Sequence, residues 1–561
     1  MKLFTSKTQR NAIHIRYKMS SMITDLVEGL LQCAALGMTL VFFGAAILMT
    51  DPVTLIVDWQ LSLKPYTLLS KLYEVPPVDV YITVYMFNYT NSDAFIAGID
   101  TKIKIAEIGP YVYKEVLSNH NVTLHEANNT VTYTPRREYI FSPERSVGDP
   151  KVDHIRAPNI PYMGVVSQAS DISMFASLGL TALTRRLNSQ PIMDISVHDY
   201  MWGYEDHLVS LASKIMPSLI DFSTFGIMEK LFREGNESNV FNMHLPERKD
   251  AVGVKLPNSP RGYSIHSVNG DRGFKNWGYD DSTNGTNCNR ISGSHDATLF
   301  PRDMNKNDSF LIFRKTFCRR LPLTFNRTLT FDGLDAFEFT LAPHIFDEDL
   351  QNENTSCFCK NNHCLKKGLG NASPCYYNMP LAVSYPHFLY ADPSLLVPFE
   401  GLSPSIERHA SKFVLQPQLG VPLHAHMRLQ ANQVVSNIKF NSLMEPFKNL
   451  VLPLLWIDFT IDNLSTSLHI LSHLIKTGFP MMQLILALCL IFFGVYQLSI
   501  AFHLCFWSLP TAKHKSDHGE KEANALGGYS IVASLQSSLP AECVKQEAQR
   551  LLDDERKLGE V

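Results

Sequence analysis

Charge is scarce in this chain. Asp, Glu, Lys and Arg make up 19% of its 561 residues, and 50 basic against 54 acidic residues leave a formal net charge of −4. So even a balance argues against nucleic acid as the main partner. Catalytic signatures are also missing: there is no Gly-x-Ser-x-Gly, no His-Glu-x-x-His and no phosphate-binding glycine loop. The residues therefore predict no enzyme and no cofactor. No internal repeat is visible.

The shortage of charge is concentrated. Gly29 to Thr50 and Thr477 to Ala512 contain no Asp, Glu, Lys or Arg, and the apolar centre of the second is Met481 to Trp507. Each exceeds the roughly 20 residues that cross a bilayer as a helix. All ten Asn-x-Ser/Thr sequons lie between them, at Asn88, Asn121, Asn128, Asn236, Asn284, Asn307, Asn326, Asn354, Asn371 and Asn463. Lys2, Lys7, Arg10, Arg16 and Lys18 precede the first stretch, and basic flanks stay cytoplasmic. The pattern predicts a cytoplasmic tail over 1–28, a span over 29–50, an exposed domain over 51–478, a second span over 479–507 and a cytoplasmic tail over 508–561. Competing readings are a cleaved signal peptide for the first stretch and a buried core helix for the second.

Cysteines divide along the same lines. Six of the ten, Cys288, Cys318, Cys357, Cys359, Cys364 and Cys375, lie between the spans. An even number in a glycosylated region reads as three disulfides, for which spacing alone allows 15 pairings. Zinc is the rival reading of Cys357-Phe-Cys359-x4-Cys364. Cys33 and Cys505 lie near the cytoplasmic ends of the spans and are candidates for palmitoylation, although plain packing also explains them.

Between the spans, Val80-Tyr-Ile-Thr-Val-Tyr-Met-Phe87 opens a series of strand-like runs: Pro77 to Tyr89, Val131 to Phe141, Ser309 to Phe317, Leu323 to Leu341 and Leu423 to Phe440. Ser167 to Arg186 and Asp199 to Glu234 carry helical spacing instead. A β-rich body with a helical insertion is expected. His424-Ala-His426 places two imidazoles on one strand face, but no third metal ligand is identifiable, so a surface or packed pair is the reading.

In this order, several motifs resemble the class B scavenger receptors, the family of fatty-acid translocase, the high-density-lipoprotein receptor and the lysosomal integral membrane protein. They are Glu107-Ile-Gly-Pro-Tyr-Val-Tyr113, Phe141-Ser-Pro-Glu144, Trp202-Gly-Tyr204, Cys288-Asn289, Phe317-Cys-Arg319, Cys357-Phe-Cys359, Ser384-Tyr-Pro-His-Phe-Leu389, His409 and Arg428-Leu-Gln-x-Asn432. The resemblance covers about 29 to 507. It implies an α+β membrane protein: two transmembrane helices flank an ectodomain with an antiparallel β-barrel core and a helical-bundle apex. It also implies the pairs Cys288–Cys357, Cys318–Cys375 and Cys359–Cys364, and an apolar tunnel toward the bilayer. Arg185 and Arg186 fall at the family's cationic apex, where they would attract anionic ligands. Ser294-His295-Asp296-Ala297, and Asp458 after Trp456, depart from the family pattern. His387, in the Ser-Tyr-Pro-His-Phe motif, reads as structural.

The implied function is uptake or transfer of lipids, fatty acids, sterols, carotenoids or lipoprotein particles at the plasma membrane, with a homo-oligomer as a further option. Two tail patterns favour endosomal or lysosomal delivery. Gly528-Tyr529-Ser-Ile-Val532 and Glu547-Ala-Gln-Arg-Leu551-Leu552 resemble signals read by clathrin adaptors. They support a sorting receptor for a protein cargo as the alternative. A sensory co-receptor for hydrophobic odorants is a third.

Overall fold

Both uncharged stretches are helical where they are described, the second as far as Trp507. The computed structural model describes residues 4–215, 220–232, 239–246, 262–280, 285–360, 362–436, 438–464 and 466–507. Its principal helices are α1 (Phe4–Thr50), α2 (Pro52–Gln60), α3 (Ile160–Ile172), α4 (Met174–Arg186), α5 (His207–Ile215) and α6 (Phe479–Trp507). The chain divides into Leu61–Leu471 and a second unit holding α1, α2 and α6.

In that second unit, α1 and α6 lie backbone to backbone. A Cβ added at Gly37 would sit 2.8 Å from the Gly494 carbonyl oxygen, and one at Gly44 would sit 2.9 Å from that of Ala487. Small residues permit such an approach between membrane helices. The other faces carry exposed Phe42, Phe43, Leu486, Phe492 and Phe493. A core helix would bury these side chains, so they fit lipid contact rather than the core reading.

The larger unit is built on one antiparallel sheet. Its strands are β1 (Val78–Tyr89), β2 (Ile103–His125), β3 (Thr130–Phe141), β4 (Phe241–His244), β5 (Ile265–Val268), β6 (Ser309–Arg314), β7 (Arg319–Phe331), β8 (Leu334–Leu341), β9 (Lys412–Gln416), β10 (Val421–Val434) and β11 (Val451–Leu464). Their spatial order is β6-β7-β8-β9-β10-β11-β1-β2-β3-β4-β5. A short extended segment closes the ring. On one side, Ile265 N–H donates to Ser294 O (2.7 Å) and Gly293 N–H to Ile265 O (2.9 Å). On the other, His295 N–H donates to Leu311 O (2.7 Å) and Phe313 N–H to His295 O (2.8 Å). Closure removes the open sheet edges that a long exposed β domain would otherwise present.

Period-2 alternation points one side of each strand inward. Ile82, Val84 and Met86 of β1 meet Tyr111 and Tyr113 of β2, Phe310 and Ile312 of β6, Phe339 of β8 and Phe459 of β11 in one buried apolar cluster. The helical run Asp199 to Glu234 is broken by short strands at Tyr204–Glu205 and Thr224–Phe225, and two further runs that read as continuous are interrupted. Leu323 to Leu341 folds back at Asp332-Gly333, both at positive φ (47° and 77°), a turn that Asp-Gly favours. Ser167 to Arg186 breaks at Ser173, where φ is −161° and the hydroxyl accepts the Ala176 N–H, capping α4.

Candidate functional site

Two parts of the larger unit carry chemistry beyond packing. The first is the helical pair α3 and α4. Asn159 caps α3 by accepting the Tyr162 N–H at 3.1 Å. One face of α4 is fixed inward: Leu180 and Leu183 pack on the core, and Ser177 Oγ donates to Lys439 O at 2.7 Å. The opposite face is open. Met174 (55% exposed), Phe175 (83%) and Leu178 (42%) form an apolar stripe, which runs into exposed Arg185 and Arg186 in the last turn. Cations there also complement the helix dipole. Beside Arg185 lies an open groove of about 720 Å³, lined by Phe440, Asn441, Ser442, Glu445 and Pro446 as well. The sequence predicted the two arginines; the stripe and the groove needed the fold. Spacing of 174, 175 and 178 was a usable signal for the stripe.

The second part is a polar knot within the apolar body. Glu107 of β2 accepts from His387 Nε2 at 2.6 Å, Trp456 Nε1 at 2.9 Å and Arg408 at 3.0 Å. The His387 and His409 rings stack at 4.4 Å, and Tyr85 stacks on Trp456 at 4.0 Å. Burial raises the Glu107 pKa, but the donors outweigh it and hold the carboxyl at about 2. Burial, then the neighbouring His387 and Arg408, push His409 down to about 4.

Glu107, His387 and His409 could hold a metal by distance, with ligand atoms within 4.8 Å of one another. Proton placement argues otherwise. Ser403 N–H donates to His387 Nδ1 (3.1 Å) and Ser405 N–H to His409 Nδ1 (3.0 Å). A backbone N–H cannot accept, so each neutral ring carries its proton on Nε2, the nitrogen a metal would need. A ligating histidine normally donates through its other nitrogen. The set is a structural latch, and the donors do not fit a metal.

The remaining predicted residues fall as follows. The structure joins Cys288 to Cys357, Cys318 to Cys375 and Cys359 to Cys364, with Cα separations of 6.0, 5.8 and 4.3 Å. Beside them Arg319 and Glu348 form a buried pair at 3.0 Å. His426 Nδ1 and Arg428 Nε both engage Asp458 Oδ2, at 2.8 and 2.9 Å, and His424 Nδ1 lies 2.9 Å from Asp462 O. The departure at Asp458 thus fills a paired position. Asn121, Asn128, Asn307, Asn326 and Asn354 are exposed and Asn88 is half-buried. Asn371 differs from the other sequons: it is only 6% exposed, its Oδ1 accepts the Ser373 N–H and its Nδ2 donates to Phe358 O. Nothing is described of the Asn463 side chain, and Asn236, Asn284, Tyr529, Val532, Glu547, Leu551 and Leu552 lie outside the described residues. Cys33 lies within α1 and Cys505 near the end of α6.

A closed antiparallel barrel, a helical pair displaying a mixed apolar and cationic face, and two spanning helices define a two-span membrane receptor of the class B scavenger type. The CD36 family model matches residues 35–505, and the chain belongs to that family. It is 28% identical over 526 residues to scavenger receptor class B member 1 of Sus scrofa, covering 91% of this chain and 96% of the relative. It is 28% identical over 411 residues to lysosome membrane protein 2 of Rattus norvegicus, covering 72% and 79%. The human lysosome membrane protein 2 is 27% identical over 472 residues, covering 84% and 91%. Members of this family are receptors rather than enzymes.

Proposed function

We propose that the chain captures amphiphilic lipid or lipoprotein surfaces on the exposed face of α4 and passes lipid through the barrel interior to the membrane. The observation that supports it is the stripe of Met174, Phe175 and Leu178 ending in Arg185 and Arg186. An acyl chain would lie on the stripe, where burial is favourable by about 25 cal/mol per Å2. A carboxylate or phosphate would meet the guanidinium groups, which match such anions well. Fatty acids, sterols carried with anionic lipid, carotenoids and lipoproteins are all compatible cargo classes. Lipid transfer along such a path follows its gradient and needs no nucleophile.

The test is uptake of labelled lipoprotein by cells expressing the full chain. Arg185→Glu with Arg186→Glu should lower binding roughly tenfold, the loss expected from about 1.4 kcal/mol. Phe175→Asp should lower it too, with surface expression unchanged. Binding that survives both changes would place capture elsewhere.

A second reading is a sorting receptor of endosomal or lysosomal membranes. Relatives named lysosome membrane protein 2 and the two tail signals favour it. Leu551→Ala, Leu552→Ala and Tyr529→Ala together should move a late-endosomal wild type to the cell surface. A wild type already at the plasma membrane would leave surface uptake as the leading reading.

A further inference from the structure

The short helix α2 has no role in the reading above, yet it presents a large apolar face close to the end of a span. Asp51, one residue beyond α1, turns the chain at φ 44°, and α2 starts at Pro52. Two bonds fix its first turn. Thr54 Oγ1 donates to Asp51 Oδ2 at 2.7 Å, and Val53 N–H donates to Gln483 Oε1 of α6 at 3.0 Å. The helix is therefore tied to the second span, not only to the first.

Its nine residues divide into two faces. Val53, Val57 and Gln60 are partly covered. Leu55 (63% exposed), Ile56 (59%) and Trp59 (50%) occupy the other face within about one-third of the helix circumference. Three large apolar side chains open to water on so short a helix are costly unless something covers them. The covering medium is at hand, because α2 begins two residues after the span ends at Thr50. An aromatic indole beside aliphatic residues suits the boundary between headgroups and acyl chains. Asp58 is the sole charged residue of α2, so the contact needs no anionic headgroup.

We propose that α2 lies in the membrane interface, seating Leu55, Ile56 and Trp59 in the leaflet on the side of the β-rich domain. The Val53–Gln483 bond then sets Thr50 and Gln483 at one level. The segment Gln483–Trp507 is left to cross the bilayer beside Val27–Thr50, and the part of the long apolar helix before Gln483 stands outside the hydrocarbon. This placement does not depend on which cargo the receptor takes.

Full-length protein would be placed in phosphatidylcholine nanodiscs at one copy per disc. Cys33, Cys489, Cys505 and Cys543 would be replaced by serine. An environment-sensitive fluorophore would be attached in turn at Leu55→Cys, Ile56→Cys and, as an exposed reference, Phe175→Cys. Nitroxide-bearing lipid should quench the first two severalfold more than the third, and aqueous iodide should do the reverse. High salt should change neither. A measurement without labels supports it: brominated lipid should quench a tryptophan component that Trp59→Phe removes. Iodide access at Leu55 and Ile56 equal to that at Phe175 would overturn the proposal. So would protection that appears only in discs holding two copies, which would make the face a contact between chains.

Discussion

At the residue scale the most informative group is the latch around Glu107, because Glu107 and His409 are both held unprotonated, one as a charge and the other as a neutral ring. His409 keeps a folded pKa of about 4 against an ordinary 6.5. Below 6.5 the unfolded chain binds a proton that the folded chain refuses, so this contribution is full above pH 6.5 and declines toward pH 4, by up to about 1.4 kcal/mol per pH unit. Glu107, at about 2 against 4.5, contributes above pH 4.5 and loses its share as pH falls toward 2. Melting temperature of the full-length protein should therefore start to fall below pH 6.5. His409→Asn keeps an acceptor for the Ser405 N–H but removes the titrating ring, so it should flatten the fall between pH 6.5 and 4. An unchanged slope would show that His409 is not the group responsible. Glu107→Gln should cost about 2–4 kcal/mol at neutral pH, since it strands an arginine and two N–H donors around a neutral amide. Each of these residues stood in a recognisable motif, and His387 read as structural from sequence. Their convergence did not, because residues 107, 387, 409 and 456 come together only through strand register and two loops. The same blindness holds for the burial of Asn371: a sequon is a local pattern, and burial is not.

At the element scale, spacing and turn chemistry carried the strands well. Pro77 to Tyr89 and Val131 to Phe141 became β1 and β3 with shifts of a residue at the start. The fold-back at Asp332-Gly333 was written in the dipeptide but hidden by strand character continuing on both sides. The break at Ser173 was hidden by apolar periodicity that runs through it. The helix pair in the membrane was legible as two spans and illegible as a pair, since no local pattern says that Gly37 faces Gly494. Gly37→Val would push a side chain into the Gly494 carbonyl, 2.8 Å from the added Cβ. In a membrane, where packing rather than hydrophobicity joins helices, the two should separate. A cysteine pair placed at Gly44→Cys and Ala487→Cys should cross-link readily on its own and several times more slowly with Gly37→Val added. Equal rates would mean that the contact tolerates a branched residue.

At the scale of the whole molecule, two charge-free stretches and the sequon distribution between them announced the membrane layout, and the family motifs announced a barrel. How the barrel closes was not announced. The closing segment, Gly293 to His295, is too short to read as a strand, and it lies in the stretch where the chain departs from its family's pattern. It is held between β5 and β6 by four backbone hydrogen bonds and lies a few residues after Cys288, which is bound to Cys357. That bridge spans 69 residues, the Cys318–Cys375 bridge 57 and the Cys359–Cys364 bridge 5. Loop-closure entropy scales with the logarithm of these lengths, so the first two should each contribute about 4 kcal/mol and the third about 2 kcal/mol on a chain-entropy model. The expected order for paired Cys→Ser variants is therefore unequal. Loss of either long bridge should abolish surface expression or lower the melting temperature sharply, while loss of Cys359–Cys364 should leave a folded receptor. Because Cys288 lies so near the closing segment, its loss should also raise hydrogen exchange at Ile265, Leu311 and Phe313 beyond what loss of Cys318–Cys375 does. Equal exchange in the two variants would mean that the barrel seam is held by its own hydrogen bonds and core, and that the bridge acts on the unfolded chain alone.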